Sequence, residues 1–167
     1  MAIRQNQVQL AIGVGGSEMK SVVQRVSSAS VTVAGEVVGQ IDTGLAVLVG
    51  ITHTDGPAEI EKTARKIVEL KLLRAPDGSD NPKDRVGAVE VGAPILLVSQ
   101  FTLYASVKKG RKPSWSAAAP GEVAEPIFNQ LVEAVRSYGV PVETGVFGAM
   151  MEVALINDGP FTVIVEV

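Results

Sequence analysis

Ser99, Gln100 and Thr102 follow directly on the apolar run Pro94-Ile95-Leu96-Leu97-Val98, in the stretch Ser99-Gln100-Phe101-Thr102-Leu103-Tyr104-Ala105. A strand that breaks into hydroxyl and amide groups offers a nucleophile, a hydrogen-bonding edge, or plain alternation into water. A hydroxyl becomes a nucleophile only with a base beside it, and the chain carries no cysteine and a single histidine, His53. His53 lies in the polar turn Gly50-Ile51-Thr52-His53-Thr54-Asp55-Gly56, where a solvated loop residue is expected. Disulfides, thiolate chemistry, cysteine-ligated zinc and two-histidine metal sites are all excluded by these counts. A second polar stretch, Asn157-Asp158-Gly159-Pro160-Phe161-Thr162, reads by itself as a hairpin turn. A third, Lys108-Lys109-Gly110-Arg111-Lys112 ahead of Trp115, is the one local concentration of positive charge. Such a loop can contact phosphates while the indole stacks on a base. Gly13-Val14-Gly15-Gly16 lacks the Lys-Ser/Thr of a phosphate loop, and Asp77, Asp80 and Asp84 sit among Lys83 and Arg85 as solvated charge.

The elements that must position these groups follow from period and punctuation. A chain of 167 residues with 46% hydrophobic and 20% charged residues is long enough for one well-buried domain, and its surface leans apolar, as in a homodimer. A net charge of −3 gives no global attraction to nucleic acid, so such a contact must be local. No apolar stretch reaches the length of about 20 residues that a spanning helix requires. Val/Ile-rich runs at 21–26, 29–34, 36–41 and 45–51, separated by Ser-Ser, Ala-Gly and Asp-Thr-Gly, predict an antiparallel meander. Helical spacing then covers 57–72, opened by Pro57, and 122–138, closed by Gly139 and Pro141. Residues 74–92 form a polar loop with one short element at most. Strands return at 94–98, 141–145, 150–156 and 161–167. The expected class is α+β, mainly antiparallel sheet with two main helices. Residues 1–18, with a short glycine-broken apolar part, read as an N-terminal extension, and 19–167 as the single domain.

Taken in order, several stretches are shared with one family. They are Gln24-Arg25-Val26-Ser27-Ser28-Ala29-Ser30-Val31-Thr32-Val33, the Ser99–Leu103 segment, Arg111-Lys112-Pro113-Ser114-Trp115, Thr144-Gly145-Val146-Phe147-Gly148-Ala149-Met150-Met151, and Asn157-Asp158-Gly159-Pro160-Phe161-Thr162. With them the chain closely resembles the D-aminoacyl-tRNA deacylases, over 19–167. The resemblance implies a barrel-like, β-rich fold and a homodimer with its active sites at the interface. It implies an enzyme, without metal or cofactor, that hydrolyses the ester between a D-amino acid or glycine and the 3′-terminal adenosine of tRNA, in the cytoplasm. Carried over by position, Ser99, Gln100, Phe101 and Thr102 form the catalytic edge. Gly159 and Pro160 form a Gly–cis-Pro clamp supplied by the partner subunit. Asn157 and Met150 complete the substrate-binding set, with Arg25 behind the clamp. Lys108, Lys109, Arg111, Lys112 and Trp115 would meet the tRNA, although Trp115 stands where the family usually has Phe, and Lys112 is a further departure. An aminoacyl ester is already activated, so positioning plus N–H donors at Phe101 and Thr102 for the oxyanion can suffice, with water attacking and the ribose 2′-hydroxyl moving the proton. The alternative makes Thr102 the nucleophile. An L-residue editing domain and a non-catalytic RNA-end binder are the rival readings.

Overall fold

The computed structural model describes residues 18–167. The extension expected at 1–18 therefore lies, but for Glu18, outside the described residues. Six strands and three α-helices run in the order β1 (Lys20–Val33), β2 (Glu36–Ile41), β3 (Gly44–Gly50), α1 (Pro57–Glu69), α2 (Ala88–Val91), β4 (Ile95–Ser99), α3 (Gly121–Arg136), β5 (Val142–Thr144) and β6 (Glu152–Glu166), with a 3-10 turn at Phe101–Tyr104. The sheet follows the path β2-β1-β3-β4-β5, and β6 lies antiparallel to β1.

Two expectations change here. The meander is replaced by a mixed sheet, because β3 pairs with β1 rather than β2, and β3, β4 and β5 run parallel. The crossovers are carried by α1 and α3, since parallel neighbours need a connection long enough to return to the starting end. The runs expected at 21–26 and 29–34 are also one strand. Ser27-Ser28 is absorbed as an irregularity in the long β1–β6 ladder, which keeps its pairing from Lys20↔Glu166 to Thr32↔Glu152. Two serines supply no positive φ, whereas Ala34 (φ 49°) and Gly35 (φ 81°) make the turn into β2.

Alternation along the strands divides the core. Leu45, Val47, Val49, Ile95 and Leu97 face α1 and α3, where they meet Ile67, Leu131 and Val135. Val26, Val31, Ile41, Ala46, Leu96 and Val98 form a second cluster inside the curve of the sheet. β3 and β4 are thus buried on both faces and contain almost no polar residue. The curve nearly closes into a barrel. β2 comes so near β5 that a Cβ on Gly39 would lie 2.4 Å from the Thr144 carbonyl oxygen, so the approach needs glycine. β6 has no strand on its far edge among the described residues, and Ile156 and Ile164 are 63% and 68% exposed.

Candidate active site

Ser99 ends β4, and the Gln100 N–H donates to the Val49 carbonyl at 2.7 Å, the last backbone bond before the chain turns. The turn that follows is the tight 3-10 helix of Phe101–Tyr104, not a strand running into water. Its first N–H groups, those of Phe101 and Thr102, precede any intrahelical acceptor. Gln100 Nε2 donates to Thr102 Oγ1 at 2.6 Å. The amide thus occupies the hydroxyl oxygen as a donor, the reverse of what a general base would do.

This edge forms one wall of a cavity of about 760 Å³. Ser99, Gln100, Phe101 and Thr102 meet Trp115 and Met150 there, together with Ala118–Gly121 and Phe147–Met151. Of the second group, only Met150 was assigned a role from the sequence. The group's signal was present in Thr144-Gly145-Val146-Phe147-Gly148, a loop too glycine-rich for a strand, with Gly148 at φ 76°. No side chain lining the cavity is acidic or basic. Phe101 and Trp115 stand edge to face at its mouth, with ring centres 6.2 Å apart.

Lys108, Lys109, Arg111 and Lys112 occupy an exposed loop pinned at its base by the reciprocal Ser106–Ser114 backbone bonds, 2.7 and 3.0 Å. Trp115 directly follows that bridge, so the basic loop and the cavity mouth are neighbours.

The wall at Ala117–Ala119 is tied to the end of β3. The Ala119 N–H donates to the Ile51 carbonyl at 2.9 Å, and Thr52 Oγ1 donates to the Ala117 carbonyl at 2.5 Å. Asp55 Oδ2 in turn accepts the Thr52 N–H at 2.8 Å, and His53, an exposed loop residue, has Nε2 2.9 Å from the Ser116 carbonyl oxygen. Burial pushes the Asp55 carboxyl up to about 6, with Glu59 adding to the rise and the Thr52 N–H opposing it. A carboxyl raised on folding favours the state that keeps its proton. Its contribution to stability is full below pH 4 and is lost as the pH rises through about 6. The expected result is that Asp55→Asn removes a fall in melting temperature between pH 4 and pH 7 that the wild type shows, checked by thermal unfolding across that range.

Arg25, Asn157, Gly159 and Pro160 form a second cluster, which does not line the cavity of the same chain. The hairpin turn expected at Asn157–Pro160 is instead a bulge within β6. Gln24 pairs with Thr162 and Val26 with Asn157, so Asp158-Gly159-Pro160-Phe161 stand opposite Arg25 alone. The Gly159–Pro160 peptide bond is cis. Asn157 holds the bulge's neck: its Nδ2 donates to the Arg25 and Phe161 carbonyls (2.9 and 3.2 Å), and its Oδ1 accepts from Thr162 Oγ1 at 3.0 Å.

Arg25 is 1% exposed, and every one of its five guanidinium N–H groups has an acceptor. Nε donates to the Asp158 carbonyl (2.9 Å) and Nη2 to the Gly159 carbonyl (2.9 Å). Nη1 donates to the Leu72 carbonyl (3.0 Å), and both terminal nitrogens grip Asp80 (2.8 and 3.1 Å). Asp80 also accepts from Arg85 Nε at 2.9 Å and lies 3.3 Å from Arg74, so it is the hub of a network rather than solvated loop charge. Hydrogen bonds from Arg25, then from Arg85, hold its carboxyl far below the usual range. A hydrogen bond from Arg74 lowers the Asp158 carboxyl, helped by the charge of Arg25. The Arg25 and Arg85 guanidiniums both lie over the Phe161 ring, 4.8 and 4.5 Å from its centre.

Among the described residues no group of three or more His, Asp and Glu could hold a metal ion, and no helix is long and apolar enough to cross a membrane.

Comparison with known proteins places similar chains alongside almost all of the described residues. The family model of D-Tyr-tRNA(Tyr) deacylase matches residues 22–166. A protein of Thermobifida fusca named D-aminoacyl-tRNA deacylase is 59% identical over 150 residues, spanning 89% of this chain and 100% of its own. One of the same name from Kineococcus radiotolerans is 54% identical over 149 residues, 89% and 99% of the two chains. Among solved structures, a "c-Myc DNA Unwinding Element Binding Protein" superposes with a TM-score of 0.80 at 40% identity, over 89% of this chain and 98% of that one. A probable eukaryotic D-amino acid tRNA deacylase superposes with a TM-score of 0.78 at 17% identity, over 90% and 100%, and shows the shared fold.

Proposed function

The chain belongs to the family of D-aminoacyl-tRNA deacylases, hydrolases of the aminoacyl-tRNA ester bond, and on that premise we propose how its two clusters divide the work. The cavity edge Ser99–Thr102 takes the ester. The bulge carrying Gly159 and Pro160 enters the cavity of a second copy and takes the α-ammonium group through its backbone carbonyls. A homodimer is favoured by the exposed apolar residues of β6, the strand that bears the bulge, and by its edge, which no strand covers among the described residues. The dimer would act in the cytoplasm, where aminoacyl-tRNA is used.

With ammonium and ester carbonyl both fixed, inversion of the α-carbon swings the side chain from open space into the clamp. L-residues are then rejected by collision, and D-residues of many sizes pass, as does glycine. The basic loop Lys108–Lys112 holds the phosphates of the tRNA 3′ end, and Trp115 stacks on a terminal base.

One observation carries the chemistry: the cavity contains hydroxyl and amide groups but no ionisable side chain, and Thr102 Oγ1 is already an acceptor of Gln100. Water therefore attacks the ester carbon and passes its proton to the ribose 2′-hydroxyl system. The Phe101 and Thr102 N–H groups receive the negative charge that develops on the carbonyl oxygen. The leaving 3′-oxygen departs protonated, giving free amino acid and tRNA.

The test is deacylation of matched D- and L-tyrosyl-tRNA by wild type and Thr102→Ala, with and without EDTA. Release from the D-form alone is expected, with Thr102→Ala retaining activity within about tenfold. Loss of all activity in Thr102→Ala would make it the nucleophile. Release from the L-form would favour an L-residue editing enzyme, and binding without release an RNA-end binder.

A further inference from the structure

Arg25 is the residue that touches the bulge, but Arg25 does not set its own orientation. Its guanidinium could rotate about the last side-chain bonds if only carbonyl oxygens met it. Asp80, a residue of the polar 74–86 loop, removes that freedom with a bidentate grip of 2.8 and 3.1 Å. The loop is itself anchored by reciprocal backbone bonds between Leu73 and Val86, 3.1 and 3.0 Å. Asp80 is thereby presented from a fixed base.

Charge adds a second role. Arg25, Arg74 and Arg85 place three guanidiniums behind the bulge, against the two carboxylates of Asp80 and Asp158. This leaves one positive charge in excess, beside carbonyls that, on the reading above, must accept a cation. A second uncompensated charge there would repel the substrate's ammonium group. At a separation of about 10 Å and an effective dielectric of about 20, one unit charge changes such binding roughly tenfold.

We propose that Asp80 is a positioning residue for the Gly159–Pro160 bulge, and that its carboxylate sets the local charge that lets the bulge receive an α-ammonium group. The inference rests on the clamp reading and deepens it. Asp80 touches no substrate atom. It acts through Arg25 and through the field.

The test compares kcat/KM for D-tyrosyl-tRNA with that for the same tRNA carrying the α-hydroxy acid of the same shape, in which no ammonium is present. Attraction of the tRNA phosphates to the protein cancels in this ratio. The wild type is expected to prefer the amino ester. Asp80→Asn lowers that preference roughly tenfold, and Asp80→Glu recovers part of it. Adding Arg74→Gln to Asp80→Asn removes one positive charge and restores the ratio, which a purely structural defect would not allow. If Asp80→Asn does not fold, Arg74→Gln alone supplies the reverse arm, raising the preference above that of the wild type. A wild type that treats both esters alike overturns the clamp reading itself. A clear wild-type preference that survives unchanged in Asp80→Asn, or that Arg74→Gln fails to move in either background, overturns the role of Asp80 and leaves the clamp standing.

Discussion

Arg25→Ala is expected to destabilise the protein by about 3–5 kcal/mol, the cost typical of breaking a buried ion pair from one side. The substitution strands three carbonyl oxygens, those of Leu72, Asp158 and Gly159, which the guanidinium satisfies at 2.9–3.0 Å. It also leaves Asp80 facing Asp158 with only the more exposed Arg74 and Arg85 between them. A cavity where the fully buried side chain stood adds to the loss. Equilibrium denaturation with urea reads this as a lower midpoint at unchanged slope. Arg25→Lys should fall between the two. It keeps the charge, but three donors on one nitrogen cannot reproduce a planar fork with five. A midpoint shift worth less than about 1 kcal/mol in Arg25→Ala would mean that water replaces the guanidinium without penalty, and that the bulge is held elsewhere.

Gly159 should show the opposite pattern, a large functional effect with a small structural one. A Cβ built on Gly159 has no atom within 4 Å in its own chain, and its φ is not in the left-handed region. Gly159→Ala and Gly159→Phe should therefore fold with melting temperatures close to wild type. If the bulge enters the partner's cavity, the added side chain occupies the space of the ester. Displacement of a reacting group by about 1 Å can cost on the order of 100-fold in rate. We expect that loss in kcat/KM on D-tyrosyl-tRNA for Gly159→Ala, and a greater one for Gly159→Phe. Mixed dimers provide the sharper measurement. A Gly159→Phe subunit joined to one with an intact bulge should lose turnover only at the cavity its own bulge enters, leaving half the sites active. Full activity of the Gly159→Phe homodimer would place the substrate away from the bulge.

Much of this protein is legible without coordinates. The helices at 57–72 and 122–138 appear within a few residues as α1 and α3, because amphipathic period, Pro57 and Gly139 are local signals. Ser99, Gln100, Phe101 and Thr102 were singled out as a catalytic edge, Met150 for substrate binding and Trp115 for tRNA contact, and all six line one cavity. That no cysteine can act as nucleophile there follows from counting. What the sequence left open depends on contacts between residues far apart in the chain. Whether Ser27-Ser28 turns or continues is decided by β6, more than 120 residues later, which offers β1 a ladder no local hairpin can match. The same ladder converts Asn157–Pro160 from a turn into a bulge. Parallel pairing of β3 and β4 could have been suspected from their unbroken apolar runs, but the choice of partner lies in the packing of α1 and α3 against one face. Asp80 shows the limit most clearly. By composition it is one of three acids in a polar loop, and only the fold brings it within 2.8 Å of a buried arginine 55 residues away, where a carboxylate is worth far more than in water.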